Sequence, residues 1–314
     1  MFTRKTLTAA LLCAFSFATL SAEAAALRIG VLPAADSIVL YAAQEKGLFK
    51  KAGLDVEIVP FKSALEIGAA MRAGKLDGHF GDLMNVLSQN ARGVAQSVVL
   101  TTTHTTAQQR NFAMVVSPAA ASRIKSLSDL HDTDTAMSGA TIIDYLLDRM
   151  SEQQKLPSDA LKRIEVKQIP IRLQMLMAGQ ASTALLPEPL VSMVVAKGGR
   201  VLWDDRTLDE ALAVVALKKT ALDEKTVAGF RSAVAEAAKL IEASPQTYRA
   251  VMVEKGLLPK PLESSYTMLR FSLFKTADGL PPLPTEAEVK RVGEWMIDHK
   301  MIDALPRYSD VVVK

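Results

Sequence analysis

The stretch Leu173-Gln-Met-Leu-Met-Ala-Gly179, Thr183-Ala-Leu-Leu186 and Pro187-Glu188-Pro189, followed by an apolar run ending at Gly198-Gly199, decides the fold because it occurs twice. The first copy, about a hundred residues earlier, runs from Ile67-Gly-Ala-Ala-Met-Arg-Ala-Gly74 through Gly81-Asp82 to Leu100. Each copy reads as an apolar helix that stops at Ala-Gly, a short strand, an acidic loop, a second helix, a glycine and a strand. Glycine often follows a helix because it adopts the left-handed conformation without steric cost. The repeat predicts two lobes of similar construction.

The acidic residue of each copy, Asp82 or Glu188, lies where a predicted strand gives way to a helix. Open α/β sheets bind ligands at the carboxyl ends of their strands. Strands alternating with helices predict an α/β fold with parallel sheets and right-handed crossovers. Two such lobes with facing strand ends would form a clamp around a small molecule.

The composition is that of a soluble α/β protein of roughly two domains. The 314 residues carry a formal net charge of only +3 and no cluster of Lys and Arg interleaved with aromatics, which argues against a nucleic-acid surface. Cys13 is the only cysteine and lies in the apolar N-terminal run. A chain processed after that run has neither a disulfide nor a thiol nucleophile.

Residues 1–25 have the pattern of a secretory signal peptide. Arg4 and Lys5 precede an apolar run from Leu7 to Leu20, and Ala-rich residues follow. The run is shorter than the about 20 residues of a membrane span; an uncleaved membrane anchor is the alternative. We therefore predict export to a bacterial periplasm.

The repeat also predicts the domain boundaries. The strand 111–116 is expected to cross to the second lobe and the strand 212–217 to return. Lobe 1 would contain residues 26–113 and 214–314, and lobe 2 residues 114–213. Further expected elements are a helix over 38–51, a helix starting at Pro157, a strand over 164–169, and a capping box at Thr285–Glu288 that opens the last long helix.

No motif for catalysis, metal or cofactor binding is present. None of the four histidines has a metal-binding partner at the spacing of H-E-x-x-H, and no nucleophile elbow, Walker loop or dinucleotide fingerprint occurs. We therefore predict no catalytic residue, no metal and no cofactor. His104 stands out because it lies among threonines at a strand end that faces the predicted cleft.

Two loops are candidates for ligand contact. Ser138-Gly139-Ala140-Thr141 is similar to an anion-binding helix start, where backbone N–H groups and the helix dipole favour negative charge; the alternative is an ordinary helix cap. Glu188 lies between two prolines, and such a stiff loop loses little entropy on binding. Its alternative is a charged turn residue, and the same choice applies to Asp82.

The chain resembles the periplasmic solute-binding proteins of nitrate, taurine and sulfonate ABC transporters, a group that includes the SsuA and THI5-like proteins. The residues that carry the resemblance are Ile29-Gly-Val-Leu32, Tyr41-Ala-Ala-Gln-Glu-Lys-Gly-Leu-Phe49, Gly53-Leu-Asp-Val-Glu57, Ala73-Gly-Lys-Leu-Asp77, Gly81-Asp82, Ser138-Gly-Ala-Thr141 and Leu186-Pro-Glu-Pro189. Pro284 to Met301 also resembles the closing helix of many members, so the resemblance covers essentially the whole mature chain. The resemblance implies a two-lobed class II periplasmic-binding-protein fold, with two parallel-sheet lobes joined by two crossing strands and closing by hinge motion.

The resemblance also implies a ligand site, a cleft lined by Asp36, Ser37, Lys62, Ser63, Asp82, Thr102, His104, Ser138, Gly139, Thr141 and Glu188. None of these loops contains an arginine, and Lys62 alone supplies a fixed positive charge. That weakens nitrate or a dianion as the ligand. The three acids suit an amine or an N-heterocycle such as a pyrimidine precursor of thiamine, with a sulfonate such as taurine as the other option.

The expected function is the substrate-binding component of an importer. The implied partners are a small-molecule ligand and an ABC permease with its ATPase, with no nucleic acid, contact with the membrane only through the permease, and a monomeric state. The rival is an enzyme on the same fold, of the type that acts in menaquinone or thiamine-pyrimidine synthesis. The predicted signal peptide argues against it, because such enzymes are expected in the cytoplasm.

Overall fold

The computed structural model describes residues 26–274 and 276–313. The predicted signal peptide, residues 1–25, lies outside this part. No helix in the described part is long and apolar enough to cross a membrane.

The described residues form ten strands. In chain order they are β1 Leu27–Val31, β2 Val56–Pro60, β3 Gly78–Gly81, β4 Gln96–His104, β5 Phe112–Val116, β6 Thr133–Met137, β7 Leu161–Glu165, β8 Thr183–Pro187, β9 Arg200–Asp204 and β10 Ala211–Lys218. They pair into two five-stranded sheets of order β2-β1-β3-β10-β4 and β7-β6-β8-β5-β9. The two-lobed α/β fold predicted from the repeat is therefore confirmed.

The sheets are mixed rather than parallel, which corrects the sequence-based prediction. β1 runs parallel to β2 and β3, and β6 runs parallel to β7 and β8. β10 is antiparallel to β3 and β4, and β5 is antiparallel to β8 and β9. β10 and β5 each enter a sheet directly from the other lobe, without a crossover helix. Strands joined by such a helix are parallel, whereas these two can run antiparallel.

Helices cover both sheets. They are α1 Ile38–Glu45, α2 Leu48–Lys51, α3 Ala64–Arg72, α4 Leu83–Ala91, α5 Ile142–Gln154, α6 Ile169–Met177, α7 Leu190–Ala196, α8 Glu224–Ala243, α9 Pro245–Glu254, α10 Glu286–Asp298 and α11 Tyr308–Val311. The predicted capping box is present: the Thr285 side chain accepts from the Glu288 N–H, and the Glu288 carboxylate accepts from the Thr285 N–H. The C-terminal segment packs back on the first sheet, where Val98 and Val312 form a parallel bridge.

Two predicted helices differ from the structure. The helix expected over 38–51 is split into α1 and α2 at Gly47, whose φ of +64° is a left-handed conformation that suits glycine. Residues 157–160 form a turn in place of a helix, closed by the bond from the Ala160 N–H to the Pro157 carbonyl. β7 then begins at Leu161, before the predicted start at 164, so too few residues remain for a helix.

Two connections, residues 105–111 and 205–210, join the sheets side by side. The Thr105 N–H donates to the Glu210 carbonyl at 2.9 Å, and the Asn111 N–H donates to Asp205 Oδ1 at 3.0 Å. β5 and β10 begin at Phe112 and Ala211, a few residues before the predicted boundaries at 114 and 214. The chain thus passes between the two sheets at two neighbouring places.

Candidate ligand-binding site

A cavity lies between the two sheets, and residues of both lobes line it. The first lobe and the returning strand contribute Leu32, Ala34, Asp36, Ala64, Phe80, Gly81, Asp82, Leu212 and Ala213. The second lobe contributes Phe112, Ser138, Thr141, Ile142, Ile143, Lys167, Ile169, Arg172 and Pro187. The lining is mostly apolar, with a few polar groups that converge on it, the arrangement typical of small-molecule sites.

Asp36 reaches the cavity from the turn that follows β1. Its Oδ2 accepts hydrogen bonds from the hydroxyl of Thr102, at 2.7 Å, and from that of Thr103. The side chain is buried, and this burial raises the pKa of Asp36 although both hydroxyl bonds act in the opposite direction. The predicted residue Thr102 thus contributes by holding Asp36.

Asp82 bridges the two lobes. Because it is the N-cap residue of α4, its Oδ1 accepts from the Asn85 N–H at 2.8 Å. Its Oδ2 accepts from the Ile142 N–H of α5 in the second lobe at 3.0 Å. Burial raises the pKa of Asp82, against the lowering effect of these two bonds. One carboxylate therefore serves the positive ends of two helices that belong to different lobes.

The predicted anion-binding loop forms the start of α5. Ser138 and Thr141 line the cavity, and Thr141 caps the helix by accepting from the Ile143 N–H at 3.3 Å. Gly139 faces away, and its N–H donates to the Glu165 carboxylate at 2.9 Å. An anion at this helix start would bind the Ile142 N–H. That group already donates to Asp82 Oδ2.

Several of the predicted residues lie outside the cavity lining. Ser37 donates to the Ala34 carbonyl, and Ser63 caps α3. The side chain of Lys62 is exposed, but its carbonyl accepts from the Ile169 N–H across the lobes at 3.0 Å. These positions shape the loops around the cavity.

His104 and Glu188 lie outside the cavity lining, next to the two connections between the lobes. We call these two residues, together with Glu288, the frame. His104 Nε2 lies 2.9 Å from Glu288 Oε1 of α10. Burial by itself lowers the pKa of His104, but the bonds with Glu288 and the Thr105 carbonyl outweigh it and raise the pKa. Glu188 Oε1 accepts from Arg110 Nε at 2.9 Å, and its Oε2 accepts from the Ser192 N–H at 3.2 Å.

Sequence reasoning missed Arg172 and Lys167, both of which line the cavity. Arg172 is only 1% exposed. The signal that identifies it is helical spacing, since Ile169, Arg172 and Leu176 are the buried residues of α6 and recur every three or four positions. A charged residue on the buried face of a helix is missed when ligand contacts are sought only in loops.

Further hydrogen bonds, from the main chain and from side chains, join the lobes around the cavity. The Ala35 N–H donates to the Glu188 carbonyl at 2.9 Å. Gln168 Nε2 of the second lobe donates to Glu66 Oε1 of the first at 2.8 Å. With the Asp82 and Lys62 contacts, these bonds hold the two lobes together on either side of the small cavity.

The sequence matches the family model described as NMT1/THI5 like over residues 34–248. No curated protein sequence matches the chain.

Solved structures with the same fold cover nearly the whole chain. The ligand-binding component of an ABC-type import system from Staphylococcus aureus, solved with zinc bound, has a TM-score of 0.71 at 15% identity, covering 91% of this chain and 96% of that one. The alkanesulfonate-binding protein SsuA from Xanthomonas axonopodis pv. citri, bound to MOPS, has a TM-score of 0.71 at 18% identity and covers 93% and 98%. The periplasmic aliphatic sulphonate-binding protein SsuA from Escherichia coli has a TM-score of 0.70 at 19% identity and covers 89% and 94%.

At these identities the likeness establishes the fold, and the family model establishes the family. The chain belongs to the NMT1/THI5-like family and has the two-lobed fold of periplasmic binding proteins.

Proposed function

We propose that this protein is the extracytoplasmic substrate-binding component of an ABC importer, which closes its two lobes over one small organic ligand and delivers it to a membrane permease. The observation that carries the proposal is the cavity between the sheets, lined by both lobes and closed by hydrogen bonds such as that of Asp82 with Ile142. Export through the predicted signal peptide and a monomeric state are parts of the same proposal.

The size of the cavity implies a hinge motion. The cavity measures about 50 Å³, whereas small-molecule pockets usually measure about 300–1,000 Å³. A ligand therefore enters only when the lobes move apart. The paired connections at residues 105–111 and 205–210 are the place where such a motion would occur, because the chain passes between the two sheets there.

The charged residues that line the cavity are compatible with two classes of ligand. Asp36 and Asp82 suit an amine or an N-heterocycle such as a pyrimidine precursor of thiamine, as expected from the sequence. Arg172 and Lys167 suit an oxyanion such as a sulfonate. The apolar side chains around them suit a compact organic body in either case.

The proposal is tested by mass spectrometry of the protein purified from its own periplasm under native conditions. We expect one small molecule per protein, released unchanged on denaturation, and a melting temperature that rises when that molecule is added back. Release of a chemically altered product on incubation would contradict the transport role and favour the enzyme. Small-angle scattering with and without the released molecule would show whether the lobes close on it.

A further inference from the structure

Arg172 is a buried cation that the protein itself does not neutralise. It belongs to the first turn of α6, is 1% exposed and lines the cavity. Its Nη1 donates to the Leu185 carbonyl at a long 3.4 Å, and its Nε has no hydrogen-bond partner. Among the described residues no carboxylate forms an ion pair with it.

This arrangement is unfavourable unless something else supplies a negative charge. Burying an ion is costly when no partner offsets the lost hydration. Burial lowers the pKa of Arg172 to about 10, although the charge of Glu165 acts in the opposite direction, so the group is still charged at neutral pH. Its place in the first turn of α6 adds the positive end of the helix dipole to the same region.

The repeat shows that folding does not require an arginine at this position. α3 and α6 are equivalent nine-residue helices, and the fourth residue is Ile67 in α3 and Arg172 in α6. Both are fully buried. An apolar side chain fills this position in the first lobe, so the charge in the second lobe has another use.

The acids of the cavity do not neutralise Arg172. Asp36 is bound by two threonine hydroxyls, and Asp82 by the N–H groups of Asn85 and Ile142. Both carboxylates are thus occupied by donors of the protein. Lys167, the other cation of the lining, lies 2.9 Å from Glu165 Oε1, so Arg172 is the cation of the lining that has no ion-pair partner among the described residues.

We propose that the ligand is a small organic anion and that Arg172 binds its carboxylate or sulfonate group. This inference rests on the proposed function and narrows its ligand class. A guanidinium binds such groups through two parallel N–H bonds, which fixes their orientation. The apolar lining, which includes Phe80 and Phe112, covers the organic part of the ligand.

The test compares matched probes on matched variants. Propionate and ethanesulfonate are the anionic probes, and propionamide and propylamine are the neutral and cationic ones. Binding is measured by calorimetry and by thermal shift on protein refolded from denaturant, which removes any ligand carried through purification. The variants are Arg172→Met, Arg172→Lys and, as a control, Arg200→Met, which removes an exposed arginine of the same lobe.

We expect both anions to bind the wild-type protein and Arg200→Met with equal affinity. Arg172→Met should weaken their binding about 100-fold, the usual effect of removing one partner of a buried ion pair. Without probe, Arg172→Met should melt no lower than the wild type, because an unpaired buried charge is removed. Arg172→Lys keeps the charge but loses the two-bond geometry, so its affinity should lie between the two.

Failure of both anions to bind the wild type would overturn the inference, as would equal binding by Arg172→Met. If Arg172→Met does not fold, unchanged affinity in Arg172→Lys overturns it. Binding of propylamine or propionamide alone would overturn the anion class while leaving the transport role intact. Chemical conversion of a bound probe would instead contradict the proposed function.

Discussion

The acidic loops of the two repeat copies occupy equivalent places in the fold but do different things. Asp82 points into the cavity and joins α4 of one lobe to α5 of the other. Glu188 follows β8 as Asp82 follows β3, yet its carboxylate turns to Arg110 and to the start of α7. Equivalent backbone positions therefore do not imply equivalent side-chain directions.

The charge that faces the cavity also comes from different elements in the two copies. In the first it is the loop acid Asp82, and in the second it is Arg172 of the preceding helix. The cleft acids Asp36 and Asp82 have pKa values raised by burial, whereas the frame acid Glu288 has a lowered one. Charges that line the cavity are thus distinct from charges that lie outside its lining.

The largest expected effect concerns the frame, at Glu288. Burial alone would raise the pKa of Glu288, but its bonds with His104 and Thr285 lower it to about 2 from 4.5. A lowered pKa means that the stabilisation is present above pH 4.5 and is lost as the pH falls through 2. The free energy of unfolding should fall over this range by at most about 3 kcal/mol through this group.

Denaturant unfolding at a series of pH values measures this effect, with Glu288→Gln as the comparison. In Glu288→Gln the free energy of unfolding should lose the pH dependence that Glu288 contributes, and it should be lower than that of the wild type at neutral pH. An identical pH profile in both proteins would show that ionised Glu288 does not stabilise the fold.

The second-largest effect is expected from a substitution that removes the hydrogen bond of Asp82 with Ile142 across the lobes. Asp82→Ala removes the cap of α4 and leaves the Ile142 N–H without its partner, which should lower the free energy of unfolding by about 2 kcal/mol. Asp223→Ala is the matched control, because Asp223 caps α8 by the same contact but bridges no lobes; it should cost about 1 kcal/mol. Equal losses in urea unfolding would mean that the contact across the cleft adds no stability.

The third effect contrasts Glu188 with Asp82 directly. Glu188→Ala should lower the free energy of unfolding by about 1 kcal/mol, because Arg110 and the Ser192 N–H lose their partner. Sequence reasoning expects both acids to affect ligand affinity. The geometry predicts a loss for Asp82→Ala, because Asp82 anchors the start of α5 at the cavity, and little change for Glu188→Ala. Calorimetric titration with the co-purified ligand measures both, and Glu188→Gln, which keeps an acceptor for Ser192, is the control. An equal loss of affinity in Glu188→Ala would show that Glu188 takes part in ligand binding.

The smallest effect is expected at Lys62. Its contact with the second lobe is made by the main-chain carbonyl, and its side chain is exposed. Lys62→Ala should therefore change the free energy of unfolding by no more than about 0.5 kcal/mol. Loss of affinity for the co-purified ligand in this variant would show that the ammonium group reaches the ligand when the lobes open.

Most of the fold could be predicted from local sequence. Strand alternation, glycine stops and the capping box at Thr285 depend on neighbours a few positions apart, so they can be recognised directly in the chain. The errors lie where long-range pairing decides. The antiparallel direction of β5 and β10 depends on entry from the other lobe, and the turn at 157–160 depends on where β7 pairs with β6.

The site was less predictable, because side-chain direction depends on what packs around it. Asp36, Asp82, Ser138 and Thr141 line the cavity as their loop positions suggest. His104 turns to Glu288 instead, a partner far along the chain on α10. No local pattern encodes such a pairing.

By itself the sequence determined the two lobes, their repeated architecture and the loops at which they meet, because periodic burial and turn chemistry are properties of short segments. Only the tertiary structure decided which charges face the ligand. Two lobes must be brought together before Asp82 can cap a helix of the other lobe. Arg172 likewise becomes buried, with no ion-pair partner among the described residues, only when the chain has folded around it. Burial and the distances between distant residues set the chemistry of the cleft, and both arise only when the whole chain is folded.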